Sequence, residues 1–192
     1  MDTTQDPRPL YQLALDQVEK LIAETGPESL DRPTPCTAYD LRTLLGHVVG
    51  GVHRLAYMGE GGRSEDVVAA TGDLPDDGWP AALGRARTRV TAAWADDAKL
   101  DRPASAPWGE VPGRAAVGGY VLETVAHAWD IARALDTALP LDDRLGEAAL
   151  AIALAVLPAE PRGGAVPFGP VRTAPADADP TTRLAAYLGR EV

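Results

Sequence analysis

The chain has 192 residues, 45% of them hydrophobic and 24% charged, which is the composition of a globular domain and excludes wholesale disorder. Its 28 acidic and 18 basic residues give a net charge of −10, so neither a nucleic acid nor an anionic membrane surface is expected as a partner. The single cysteine, Cys36, excludes an intramolecular disulfide and a cysteine-rich zinc finger.

The expected compartment is the cytoplasm. Residues 1–9 include Asp2 and Asp6 and lack the apolar centre of a secretory signal. The longest apolar stretch, residues 148–157, is too short to span a bilayer, which takes about 20 apolar residues. We therefore expect a soluble protein in a reducing environment.

The predicted elements are helices, because alanine is abundant and aromatic residues make up only 5% of the chain. Apolar residues recur at helical spacing in five segments and in a shorter one near the C-terminus. The predicted helices cover residues 9–24, 38–58, 79–95, 114–135, 142–157 and 180–188. The second is expected to begin with a capping box from Thr37 to Asp40. Segments 59–78 and 101–113, rich in glycine and proline, are expected to be loops, and the first of them is either a long loop or a loop with a short turn of helix.

This pattern predicts an all-α fold. Each of the first four helices must bury one apolar face, which favours a four-helix bundle with the fifth helix on its outside. We expect residues 1–160 to form the bundle. Residues 161–192 are expected to form a proline- and glycine-rich tail whose short helix packs on it.

The fourth predicted helix carries a possible ligand pair. Glu123 and His127 are four residues apart and share one side of the helix, and Asp130 follows three residues later on the same side. Such spacing also arises by chance on helices, and a histidine at the edge of an apolar face is often only a boundary residue.

The other two histidines lie on the second predicted helix. His47 and His53 occupy opposite edges of its apolar face, about 120° apart, so spacing does not choose between them as ligands. Gly50 and Gly51 follow His47 and are expected to clear space over its imidazole, because two adjacent glycines in a helix suggest a close approach or a cavity.

Three blocks of sequence resemble a known family. Residues 34–50, TPCTAYDLRTLLGHVVG, resemble the TPC-x-x-W-x-V-x-x-LLxHVVG signature of the mycothiol-dependent maleylpyruvate isomerase N-terminal domain family, which belongs to the DinB-like superfamily. Residues 107–113 and 122–135 are similar to its G-x-x-P and ExxxHxWDLARA segments. Residues 168–190 resemble the ending of a short-chain branch of the family. Departures are mild, such as Tyr39 where the family has tryptophan.

The resemblance implies a DinB-like four-helix bundle of up-down-down-up topology. It also implies a divalent metal ion, usually zinc, held by His47, Glu123 and His127, so that His53 is not a ligand. Three such ligands leave a fourth position open, where a metal ion lowers the pKa of a bound water or thiol. In this family the thiol is mycothiol.

Asp130 has two interpretations. One turn after His127, it is a candidate partner for the ring nitrogen of His127 that does not bind the metal. The alternative is a solvent-facing charge or an ion pair with Arg133 or Arg114.

Two further residues have open interpretations. Cys36 precedes a predicted helix N-terminus, a position that favours a reactive thiolate. The simpler interpretation is that Cys36 is a small buried residue that serves only for packing. Trp108 is a candidate for the mouth of a pocket.

The function expected from the resemblance is that of a metal-dependent thiol S-transferase or a related isomerase. Its partners would be a low-molecular-weight thiol and an electrophilic substrate, and the protein would be a monomer or a homodimer. The family's isomerase carries a further C-terminal domain, whereas residues 136–192 are expected to add only a helix and the tail. The alternative is a non-catalytic metal-binding sensor or interaction module of the same fold.

Overall fold

The computed structural model describes residues 6–72, 74–164 and 166–192, and this part of the chain is mostly helical. Its α-helices are α1 Arg8–Ala23, α2 Leu41–Gly59, α3 Trp79–Ala93, α4 Gly113–Leu135, α5 Asp143–Val156 and α6 Pro180–Tyr187. All six predicted helices are present, and most of their ends fall within two residues of the prediction. Among the described residues, no helix has the length and apolar character needed to cross a membrane.

The start of α2 corrects the predicted capping box. Asp40 itself is the N-cap residue, and its carboxylate accepts a hydrogen bond from the Thr43 N–H at 2.8 Å. The preceding residues form a turn instead of helix, because the Thr34 hydroxyl lies 3.0 Å from the Cys36 carbonyl oxygen and 2.8 Å from that of Tyr39. The turn delays the helix by three residues relative to the prediction.

The segment 101–113 forms a hairpin, so its prediction as a loop was wrong. Strand β1, Pro103–Ala106, pairs antiparallel with β2, Gly109–Pro112. Proline is tolerated here because it stands at the outer end of each strand and in the turn between them. Gly109 has φ of +123°, a conformation that side chains rarely adopt and that lets the chain reverse after Trp108.

The core lies between α1, α2, α3 and α4. Helix α2 packs against α3 and α4, and α1 packs against α4 and α3. Leucine and valine side chains from all four are fully buried, including Leu15, Leu44, Leu83 and Val121. Helix α4 is central, since it also contacts α5 and α6. Polar side chains on α4 are therefore held within a packed interior.

Helix α6 packs against α5 and α4. Leu184 of α6 and its C-cap residue Leu188 are buried. The backbone of α5 approaches α6 closely at Gly146, where an added Cβ would lie 2.7 Å from the Thr181 nitrogen. This contact brings residues that follow α6 close to α4.

Candidate metal centre

A loop that follows α2 in sequence lies back across this helix and holds His47. The Ala69 carbonyl accepts a hydrogen bond from Nδ1 of His47 at 2.8 Å, and the Thr71 N–H donates to the Gly46 carbonyl at 2.9 Å. A Cβ added at Gly46 would lie 2.3 Å from the Thr71 carbonyl oxygen, and one added at Gly50 would lie 3.1 Å from the Thr71 nitrogen. The two glycines therefore admit the loop that orients the imidazole.

This arrangement corrects the expectation that Gly50 and Gly51 clear space over His47. Gly50 makes room for backbone atoms of the loop. Gly51 instead faces the ring of Tyr120, where an added Cβ would be at an ordinary contact distance of 3.6 Å.

The Nε2 atom of His47 points to α4. It lies 2.9 Å from Oε1 of Glu123, and the imidazole rings of His47 and His127 meet edge to face with centroids 5.0 Å apart. One ligand atom from each of the three side chains lies within 4.8 Å of the other two. Helices α2 and α4 thus bring together the two nitrogens and one oxygen that the resemblance implied.

The second ring nitrogen of His127 is also bonded. Its Nδ1 donates to Oδ2 of Asp130 at 3.0 Å, one turn further along α4. Both histidines therefore have Nδ1 bonded to an oxygen acceptor, so that Nε2 is the nitrogen that each could offer to a metal ion. Bonding of this kind is usual for histidine ligands, because it sets the tautomer and the ring orientation.

Asp130 is fully buried and forms an ion pair that the sequence did not predict. Nε and Nη2 of Arg190, beyond α6, lie 3.2 and 2.9 Å from its two carboxylate oxygens. The expected alternatives were wrong. Asp130 is not solvent-facing, Arg133 lies over the ring of Trp129, and Arg114 pairs with the carboxylate of Asp101.

Charges within the site set the protonation of its ligands. Burial lowers the pKa of His47, but the hydrogen bond and the charge of Glu123 outweigh it and raise that pKa above its ordinary value. Burial raises the pKa of Glu123, but the His47 bond and the nearby His127 hold it below its usual range. Burial likewise opposes ionisation of Asp130, whose pKa is nevertheless lowered by His127 and Arg190. Both carboxylates are thus available as anions at neutral pH.

His53 lies away from this cluster. Among the described residues, His53 is not part of any group of side chains that could hold a metal ion. Its pKa is lowered by burial and by the nearby positive charges of Arg89 and Arg85.

The sulfur of Cys36 lies within 4.8 Å of ligand atoms of His127 and Asp130. Burial and the Asp130 charge raise the pKa of this thiol. A raised pKa disfavours the thiolate, which was the first of its two expected interpretations, and the thiol is only partly buried.

Two aromatic side chains lie close to the cluster. The ring of Tyr39 is 5.2 Å from that of His47, centroid to centroid. Trp108, at the tip of the hairpin, is half exposed and lies 5.8 Å from the ring of Tyr120, one turn before Glu123 on α4. The expectation that Trp108 lines the mouth of a pocket stays a prediction.

The three side chains of the cluster are partly exposed to solvent. The exposed fraction is 32% for the side chain of Glu123, 13% for His47 and 9% for His127. Ligand atoms about 2.0–2.1 Å from a tetrahedral zinc ion lie roughly 3.3 Å apart. The 2.9 Å between His47 Nε2 and Glu123 Oε1 needs only a small widening to reach that spacing.

Comparison with known proteins gives the chain a family context. The family model described as the mycothiol maleylpyruvate isomerase N-terminal domain matches residues 11–132. Two uncharacterized proteins of Mycobacterium tuberculosis, from strains CDC 1551 and H37Rv, are each 32% identical over 190 residues, covering 97% of this chain and 99% of the relative. No solved structure matches the chain. The match includes His47, Glu123, His127 and Asp130 and ends before Arg190.

Proposed function

The chain belongs to the mycothiol maleylpyruvate isomerase N-terminal domain family, and from this premise we propose that it is a metal-dependent enzyme that transfers a small thiol to an organic electrophile. The observation that supports this proposal is that His47, Glu123 and His127 lie together. The Nδ1 atom of each histidine is already hydrogen-bonded to an oxygen acceptor. The thiol would be mycothiol or a close analogue, and the reaction would take place in the cytoplasm.

The donor set suits zinc. Two imidazole nitrogens and one carboxylate oxygen form a common protein ligand set of catalytic zinc sites, in which the fourth position stays open. A divalent cation with an open position lowers the pKa of a thiol that binds there, so that the thiol becomes a nucleophile at neutral pH.

The protein's own residues would supply orientation and charge. His47 is held by the Ala69 carbonyl and His127 by Asp130, so neither imidazole has to reorder when a cation binds. Glu123 supplies the one negative charge of the three ligands, and its partial exposure marks the side from which a thiol and its electrophile would approach.

Cobalt-substituted protein offers a direct test. A thiol such as 2-mercaptoethanol or mycothiol is titrated while the absorbance of the cobalt site is followed, and 1-chloro-2,4-dinitrobenzene is then added. The thiol sulfur attacks the ring carbon, the C–S bond forms, the C–Cl bond breaks, chloride leaves, and the thiol proton goes to solvent. We expect a thiol-dependent change in the cobalt spectrum and conjugation faster than the uncatalysed rate.

Two variants serve as controls. Glu123→Gln should abolish both signals, because it removes the charged ligand, whereas His53→Ala should retain them. If cobalt binds but no thiol alters its spectrum and conjugation stays at the uncatalysed rate, the transferase proposal is wrong. The protein would then be a metal-binding sensor or interaction module.

A further inference from the structure

Arg190 and Asp130 form a buried two-bond ion pair behind His127. Asp130 is 0% exposed, and the Arg190 side chain is 9% exposed. The guanidinium donates from Nε to Oδ1 and from Nη2 to Oδ2, and the same Oδ2 accepts from His127 Nδ1. A paired geometry of this kind fixes the plane of the carboxylate as well as its position.

The carboxylate needs this partner. A buried charge is tolerated when it is paired and its lone pairs are satisfied, and losing one partner leaves an uncompensated charge. Without Arg190, both oxygens of Asp130 would lose a hydrogen bond to the guanidinium, and the plane of the carboxylate that bonds His127 would no longer be fixed.

The end of α6 delivers Arg190 to this position. Gly189 has φ of +89°, its N–H donates to the Ala186 carbonyl at 3.0 Å, and the Arg190 N–H donates to the Ala185 carbonyl at 3.0 Å. These two bonds make a Schellman motif, which ends a helix and turns the chain back along it. An added Cβ at Gly189 would also lie 2.7 Å from the backbone of Gly169, so glycine is required here on two grounds.

The other end of α6 is attached to the neighbour of Asp130. Trp129 Nε1 donates to the Thr182 hydroxyl at 3.3 Å, and that hydroxyl donates to the N-cap residue Asp179 at 2.7 Å. Two consecutive residues of α4 thus contact the first turn of α6 and the segment that directly follows α6. The position of the Arg190 guanidinium is set by a docked helix and does not depend on a free tail.

We propose that Arg190 is a positioning residue for the metal centre: through Asp130 it holds the His127 imidazole with Nδ1 protonated and Nε2 turned to the metal position. The proposal deepens the proposed function, since it takes His127 as a ligand. If the proposal is right, His127 is held in its ligand orientation only when α6 is packed against α4 and α5.

The test compares variants of Arg190 in the full chain. Arg190→Met removes the guanidinium but keeps an unbranched buried side chain, Arg190→Lys keeps the charge without the paired geometry, and Arg172→Met is the matched control. Arg172 lies in the same tail, is half exposed, and is 3.4 Å from Glu191. Zinc affinity is measured by competition with a chromophoric chelator, at a temperature where circular dichroism shows every metal-free variant folded.

Loss of an outer partner of a ligating histidine typically weakens metal binding about 10–100-fold. We expect that loss for Arg190→Met, a partial rescue for Arg190→Lys, and a change of less than about twofold for Arg172→Met. Gly189→Ala should also weaken binding, because it displaces Arg190 without removing it. Equal zinc affinity for Arg190→Met and wild type would overturn the proposal.

A second measurement separates this proposal from the proposed function. Long-range 1H–15N spectra of the metal-free protein report which nitrogen of His127 carries the proton. We expect the Nδ1–H form in wild type and a mixture of tautomers in Arg190→Met. If wild type binds no zinc, the proposed function fails, but the tautomers still decide the role of Arg190: an unchanged Nδ1–H form in Arg190→Met would refute it.

Discussion

His47 and Glu123 bond each other across two helices, with Nε2 of the histidine 2.9 Å from Oε1 of the glutamate. The bond occupies the atoms that we propose as metal ligands, so a cation would replace a proton between them. It also keeps α2 and α4 in register at the site, because each residue lies within a long helix. The side chains that we propose as ligands are therefore already adjacent in the metal-free protein.

Replacing His47 by alanine is predicted to abolish metal binding. Loss of a ligand removes more affinity than the roughly 10–100-fold that an outer partner contributes. Metal content after dialysis against zinc, measured by elemental analysis, should fall from one ion per chain to a trace. His53→Ala is the control and should keep full occupancy. A fully loaded His47→Ala variant would contradict the ligand assignment.

Removing the metal is predicted to lower thermal stability. Zinc at one hundred times its Kd stabilises the folded state by ~2.7 kcal/mol. For a chain of 192 residues this corresponds to a Tm shift of roughly 5–10 °C. Differential scanning calorimetry before and after EDTA treatment measures the shift, and added zinc should reverse it. The same Tm in both states, at saturating zinc, would argue against a site that exists only in the folded protein.

Gly46→Ala is predicted to disturb the site through the loop that holds His47. Its Cβ would overlap the Thr71 carbonyl oxygen, so the loop must move and the Ala69 bond to His47 weakens. We expect both a lower Tm and weaker zinc binding. Gly51→Ala, with a Cβ at 3.6 Å from Tyr120, is the matched control and should gain up to about 1 kcal/mol from helix propensity. Equal behaviour of the two variants would count against this role for the loop.

Asp40→Ala is predicted to destabilise α2 in a pH-dependent way. The bonds from Thr43 lower the pKa of the Asp40 carboxyl below its ordinary 3.8. A lowered pKa means that the stabilisation is present above the ordinary value and is lost as the pH falls through the folded-state pKa. Urea unfolding at pH 7 should show a loss of about 1 kcal/mol, shrinking towards pH 3. Asp77→Ala, in an exposed loop, should show no such trend; an Asp40→Ala deficit that is constant with pH would refute the capping argument.

The helices could be predicted because their apolar spacing is regular and their ends carry proline, glycine or aspartate. The hairpin could not, since Pro103, Pro107 and Pro112 lower strand propensity over the whole segment. Their tolerance depends on standing at strand ends and in the turn, which is a property of the pairing. The cap of α2 was missed for a similar reason, because Thr37 and Asp40 are both good N-cap residues and only the turn formed by Thr34 distinguishes them.

The candidate site was predictable in part. Helical spacing placed Glu123, His127 and Asp130 on one side of α4, but the choice of His47 over His53 needed the family resemblance. The bond from His47 to the Ala69 carbonyl could not be predicted, because a backbone carbonyl is present at every residue and the sequence does not mark this one. The Leu-Gly-Arg sequence after α6 does indicate a helix end at Gly189, but a local pattern cannot tell which distant carboxylate the arginine meets.

The bond between Asp130 and Arg190 imposes an order on the maturation of the protein. The two residues are 60 positions apart. At a synthesis rate of about 5–20 residues per second, Asp130 leaves the peptidyl-transferase centre roughly 3–12 s before the arginine that pairs with it. During that interval α4 presents its carboxylate without the arginine. If zinc binds as we propose, a newly made chain would reach its full zinc affinity only once the later segment has folded back, so that loading would be a late step of biogenesis.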